Sequence, residues 1–145
     1  MAPSFDHIGL ATPDLDRSVA FYRDVMGFEL ISRRPMNDGA RAVFRVGEGL
    51  LVLFHRPHAG YVEKVRKPRS GVHHLAFWFE PKEYEGIIER CKANGVEIMM
   101  QELNQGAKGT GLATYFYDPD GNDIEIKKYE DLPEHAEYMA EGYTL

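Results

Sequence analysis

Hydrophobic and polar positions alternate in short runs along most of this chain, and two longer stretches carry the wider spacing of a helix. Residues 5–11 alternate with Phe5, His7 and Gly9 on one face and Ile8 and Leu10 on the other, which is the period of a strand. Thr12-Pro13-Asp14 then predicts a helix start, with Thr12 as side-chain cap and Pro13 where its missing N–H does no harm. Leu15, Ser18/Val19, Tyr22 and Val25/Met26 recur at helical spacing, and Gly27 is a favoured left-handed terminator. Three more strands are predicted over residues 28–34, 40–46 and 50–54, separated by the turn formers Asn37-Asp38-Gly39 and Gly47-Glu48-Gly49. The order is β-α-β-β-β.

The same order then recurs: a strand over 71–79, a helix opened by Pro81 and closed by Gly95, and strands over 96–103, 112–117 and 122–129. His74 follows His7 by 67 positions, while Pro81 and Gly95 follow Pro13 and Gly27 by 68 each. Strand, helix start and helix stop thus repeat in register, which predicts an internal duplication. The expected layout is a first module over 1–55, a linker over 56–70, a second module over 71–129 and a short helix or tail over 130–145.

Composition narrows the function. At 145 residues and 43% hydrophobic the chain can bury a sizeable core without disulfides, and its single Cys91 has no partner within the chain. The first six residues show neither a basic nor an apolar leader pattern, so a reducing, cytoplasmic setting is expected. No apolar run is long enough to span a bilayer, so no membrane partner is expected. A net charge of -6 argues against nucleic acid. Five Lys/Arg residues between Arg56 and Arg69 read as a solvated connection.

The chemistry gathers on the strands. Asp118-Pro119-Asp120-Gly121-Asn122 is a turn that delivers Glu125 onto a strand whose Ile124 and Ile126 face the other way. A carboxylate in such a strand costs several kcal/mol unless it is paired or binds a metal. In the strand over 71–79, alternation puts His74, Ala76 and Trp78 opposite Leu75, Phe77 and Phe79, whose oily face belongs against the helix. His7, His74 and Glu125 therefore face away from the helices, as does Tyr115, a core aromatic or a proton donor. Two imidazoles and one carboxylate with open positions suit Fe(II) best, and Mn, Ni, Co or Zn more loosely. Trp78 and Phe54 read as pocket walls and His73 as a back-face or strand-mouth residue. Residues 106–111, rich in glycine, lack phosphate-loop spacing and read as a loop between strands.

Asp6-His7-Ile8-Gly9-Leu10, Phe21-Tyr22 with Gly27-Phe28, His73-His74-Leu75-Ala76-Phe77 and Asp118-Pro119-Asp120-Gly121-Asn122 through Glu125 together resemble the vicinal oxygen chelate superfamily. That group includes glyoxalase I, bleomycin-resistance proteins, fosfomycin-resistance enzymes and extradiol dioxygenases. The resemblance implies an α+β fold, two βαβββ modules forming an open, curved, mixed barrel-like sheet with helices outside, in a homodimer around a divalent metal. It assigns the metal to His7, His74 and Glu125, and puts Val52 where glyoxalase I carries a fourth, carboxylate ligand. It implies a small-molecule substrate and, foremost, Fe(II) ring cleavage of a catechol. Tyr115 would then bind a substrate oxygen, and His55, with His58 as an alternative, would move a proton. A lyase or isomerase with a redox-inactive metal and a non-catalytic, bleomycin-resistance-like binding protein are the other readings.

Overall fold

The computed structural model describes residues 3–36, 39–60 and 70–133. The chain divides into two compact units, Met1–Glu63 and Lys64–Leu145. Most of the linker and nearly all of the C-terminal tail expected above lie outside the described residues.

The first unit runs β1 (His7–Thr12), α1 (Leu15–Ala20), β2 (Glu29–Met36), β3 (Gly39–Val46) and β4 (Gly49–His55). Its sheet has the order β1-β4-β3-β2, with β1 parallel to β4 and the other neighbours antiparallel. The α1 crossover brings β2 back in the direction of β1, and the two antiparallel reversals from β2 to β3 and from β3 to β4 then leave β4 parallel to β1. Thr12 is not the helix cap. Asp14 is, its carboxylate accepting from Arg17 N at 3.0 Å, while the buried Thr12 hydroxyl bonds Ser18 Oγ at 2.7 Å and accepts from Asp14 N. Beyond α1 the chain widens into a π-helical turn, Phe21–Val25, in which Met26 N reaches back five residues to Phe21 O at 3.1 Å. The extra residue per turn lets Phe21, Tyr22, Val25 and Met26 all be buried before Gly27, at φ 75°, ends the helix.

The second unit repeats the plan with β5 (Leu75–Trp78), α2 (Pro81–Ala93), β6 (Met100–Gly106), β7 (Gly109–Tyr117) and β8 (Asp123–Lys128), in the order β5-β8-β7-β6. Again the first and last strands are parallel. α2 buries Tyr84, Ile87, Ile88 and Cys91, and the Tyr84 hydroxyl bonds Thr114 on β7. Burial raises the Cys91 thiol to about 11, so it is a packing residue. β5 is shorter than expected: its ladder with β8 begins at Leu75, paired with Ile124, and runs to Trp78. The glycine-rich stretch is no open loop. β6 and β7 continue through it to a two-residue turn, Ala107-Lys108, before Gly109 at φ 98°. A Cβ on Gly106 would stand 2.7 Å from Lys127 Cε, and one on Gly111 2.7 Å from Lys128 O. The glycines therefore permit a close approach of the hairpin to the end of β8.

Among the described residues no helix is long and apolar enough to cross a membrane.

Candidate metal centre

The turn before β8 is built around the buried Asp118 carboxylate. It accepts from Asp120 N at 3.0 Å, Asn122 N at 2.8 Å and Asn122 Nδ2 at 2.8 Å, while Gly121 takes φ 88°. This fixes the parity with which β8 begins. Ile124 and Ile126 are fully buried on one face, and Lys128 beside them reaches α2, donating to Glu85 Oε1 at 2.7 Å. Asp123, Glu125 and Lys127 share the opposite face.

On that face Glu125 pairs across the ladder with Tyr115 on β7 and with Ala76 on β5. Its side chain is 5% exposed, with Oε2 3.0 Å from His74 Nε2 and Oε1 3.4 Å from Lys127 Nζ. His74 Nδ1 is engaged by His73 Nδ1 at 2.8 Å, so the ring presents Nε2 to the carboxylate. His73 thus orients a neighbour's ring. The Tyr115 ring stands edge-on to His74, and its hydroxyl accepts from Asn104 Nδ2 at 2.7 Å. Burial, then the charges of Glu125 and Glu102, hold Tyr115 well above the usual phenol range, against a smaller opposing pull from Asn104. Tyr115 is therefore a phenol, a donor rather than a base, at any physiological pH.

Lys127 and Asn104 had escaped the sequence reading. The Lys127 side chain is 5% exposed; Nζ donates to Asn104 Oδ1 and, at 3.3 Å, to Asn104 O. The available signal was the strand period, which puts Lys127 on the face of Glu125. Trp78, paired with Lys127 across the ladder and 49% exposed, lines the same face, with Lys108 Nζ 3.2 Å from its ring centroid.

The first unit carries the corresponding face without the carboxylate. His7 donates from Nδ1 to Asp6 Oδ1 at 2.5 Å, which leaves Nε2 free for a ligand role. Its register partner is Leu50; Gly9 pairs with Val52 and Ala11 with Phe54. Gly9 occupies the place of Ala76 in the duplication, so the buried Val52 occupies that of Glu125. Phe54 lines this face; a Cβ on Gly9 would stand 3.1 Å from its ring. His55 does not. It pairs with Thr12 and shares the face of Leu51 and Leu53, opposite to that of His7 and its partner Leu50. His58 lies in the exposed turn that follows β4.

Among the described residues no three His, Cys, Asp or Glu side chains are gathered into a metal-holding group. The donors that the second unit does assemble fit a divalent ion. An ion with bonds of about 2.1 Å and right angles holds neighbouring donors about 3 Å apart, which is the separation of His74 Nε2 and Glu125 Oε2.

Comparison with known proteins gives the family. The model of the glyoxalase/bleomycin resistance protein/dioxygenase superfamily matches residues 4–126. The chain belongs to this superfamily. A glutathione transferase, FosA, of Serratia marcescens is 31% identical over 126 residues, covering 87% of this chain and 81% of the relative. A manganese-dependent 2,3-dihydroxybiphenyl 1,2-dioxygenase of Geobacillus genomosp. 3 is 32% identical over 123 residues, 84% of this chain but 35% of that enzyme. The chain thus spans about a third of that dioxygenase's length. Among solved structures, a glyoxalase/dioxygenase from Nostoc punctiforme superposes with a TM-score of 0.72 at 26% identity, covering 90% of this chain and 97% of that one. Superfamily membership fits the paired βαβββ units and relatives that include a manganese-dependent enzyme.

Proposed function

We propose that the protein is a divalent-metal enzyme in which His7, His74 and Glu125 hold the ion, and that it cleaves the ring of a small catechol-type substrate with dioxygen. The carrying observation is the buried Glu125 carboxylate, 3.0 Å from an imidazole whose other nitrogen is already engaged. When bound, Fe(II) or Mn(II) supplies Lewis acidity toward two neighbouring substrate oxygens and access to dioxygen chemistry. The chain's own residues do the rest. His73 and Asp6 fix the two imidazoles with Nε2 presented. Tyr115, held as a phenol and positioned by Asn104, donates a hydrogen bond to a substrate oxygen as charge develops there. Trp78 in the second unit and Phe54 in the first are apolar walls for an aromatic ring.

A second reading follows from His55. Facing away from His7, it cannot serve as the proton-moving histidine on that face, and the dioxygenase mechanism then rests on Tyr115 alone. That favours, as the alternative, enolate-stabilising or group-transfer chemistry with a redox-inactive metal, a class to which the similarity to a glutathione transferase also points.

The test is metal analysis of protein purified anaerobically without an affinity tag, followed by oxygen uptake with 2,3-dihydroxybiphenyl and simple catechols. Uptake that depends on Fe(II) or Mn(II) supports ring cleavage. Metal binding without any oxygen uptake selects the second reading. Tyr115→Phe should keep the metal and lower the rate by about 100-fold or more; an unchanged rate would remove Tyr115 from the chemistry.

A further inference from the structure

We propose that Lys127 makes this site selective for a chelating substrate that carries an additional negative charge, with the Lys127 ammonium as the contact for that charge. The inference rests on Glu125 being a metal ligand, as proposed above.

The two oxygens of the Glu125 carboxylate are divided between partners: Oε2 lies by His74 and Oε1 by Lys127, with both Glu125 and Lys127 side chains 5% exposed. Carboxylate and ammonium cancel. A divalent ion taking Glu125 would upset that balance, because a buried cation would then stand beside a second, stronger one with little water to screen them. Two other carboxylates share the face, and among the described residues neither forms an ion pair with Lys127. Glu102 is turned toward Asn104 and Tyr115, and Asp123 begins β8, two pleats before Lys127. Lys127 is also anchored by Asn104, whose amide and backbone oxygens orient the ammonium, and by the Tyr129 ring, whose centroid lies 5.7 Å from Nζ; neither carries a charge that neutralises it.

An anionic group on the substrate supplies the missing charge. Such a group would approach Lys127 from the side of Trp78, its cross-strand neighbour, which is half exposed. Lys108, seated on the Trp78 ring by the close packing of the β6–β7 hairpin, adds a second cation at that opening. The substrate class is then an ortho-dihydroxy compound, or another vicinal oxygen chelator, bearing a carboxylate or equivalent anion.

Calorimetric titration of the full-length protein tests this by binding alone. Mn(II) is titrated into metal-free wild type, Lys127→Met and Lys127→Arg; catechol, 2,3-dihydroxybenzoate and 3,4-dihydroxybenzoate are then titrated into the loaded proteins. The wild type should bind one of the benzoates about tenfold or more tighter than catechol. Lys127→Met should bind Mn(II) about tenfold tighter while losing the preference for the benzoate, and Lys127→Arg should restore both properties. These opposite signs are what a merely structural ion pair would not produce. Should Lys127→Met not fold, the wild type decides by itself: the benzoate must tighten Mn(II) binding more than catechol does. Unchanged Mn(II) affinity and unchanged preference in folded Lys127→Met would overturn the proposal, as would a wild type that prefers catechol. A wild type that binds Mn(II) but neither class of ligand would overturn it together with the catechol reading, and one that binds no metal would overturn the metal site itself.

Discussion

The two units share a plan and divide the chemistry unequally. Each places its first and last strands side by side in parallel, and each ends its helix with a left-handed glycine, Gly27 at φ 75° and Gly95 at φ 69°. Each also puts a histidine beside the first strand with Nδ1 engaged by the residue before it, Asp6 for His7 and His73 for His74. The last strands differ. β4 reads Leu50-Leu51-Val52-Leu53-Phe54, apolar on both faces, whereas β8 reads Asp123-Ile124-Glu125-Ile126-Lys127 and keeps one face polar. A duplication need preserve only the side that packs on the helix. The other side is free to diverge, and here one half kept a carboxylate where the other has a methyl-bearing wall.

Exchanging the two positions should give the largest effects. Glu125→Val removes the proposed metal donor and leaves the Lys127 ammonium buried without its carboxylate, a loss of about 3–5 kcal/mol; metal binding should fall below detection. Val52→Glu places a carboxylate at a site that is 6% exposed, at a cost on the order of 3 kcal/mol when nothing neutralises it. If the first-unit face is the equivalent of the second, added Mn(II) should recover part of that loss in Val52→Glu. Thermal melts with and without Mn(II) decide it. A Val52→Glu protein indifferent to metal would show that the equivalence is one of backbone alone.

The shared frame was legible in the sequence because punctuation carries it: Pro13 and Pro81, Gly27 and Gly95, and the Asp118-to-Asn122 turn recur where the chain must start, stop or reverse. His7, His74, Glu125 and Tyr115 could be assigned from alternation to the strand faces turned away from the helices. What escaped depends on pairing. His55 is a candidate because the resemblance calls for an acid/base histidine near the fourth strand and His55 lies at its end, yet one residue changes the face, and only the register Thr12 to His55 shows which. Lys127 was overlooked because a lysine near a strand end usually reaches solvent; its burial follows from the hairpin glycines that bring Gly106 against its stem. The helix cap shifted from Thr12 to Asp14 for a similar reason, since the Thr12 hydroxyl is turned inward to Ser18.

The orienting neighbours offer a finer comparison. Asp6→Ala and His73→Ala should each weaken Mn(II) binding by about 10- to 100-fold without altering the fold, because an imidazole free to rotate or change tautomer is a poorer ligand. Asp6 is the stronger candidate, as an exposed carboxylate with a 2.5 Å contact to His7. A loss confined to His73→Ala would mean that only the second unit contributes to the metal. Calorimetric titration of both variants separates these outcomes.

The helix starts should show the smallest difference. α1 depends on the Asp14 carboxylate for the free N–H of Arg17, its third residue, whereas α2 begins with Pro81 and receives no side-chain cap from Glu80. Proline removes one unsatisfied donor and presets the backbone, so the cap has less to supply there. Asp14→Ala should therefore cost about 1 kcal/mol, or roughly 3 °C in melting temperature. Glu80→Ala should stay within about 0.5 kcal/mol. Equal losses would mean that Glu80 caps α2 in solution after all. A negligible loss in Asp14→Ala would instead assign the helix start to Thr12, whose buried hydroxyl already accepts from Asp14 N at 3.2 Å.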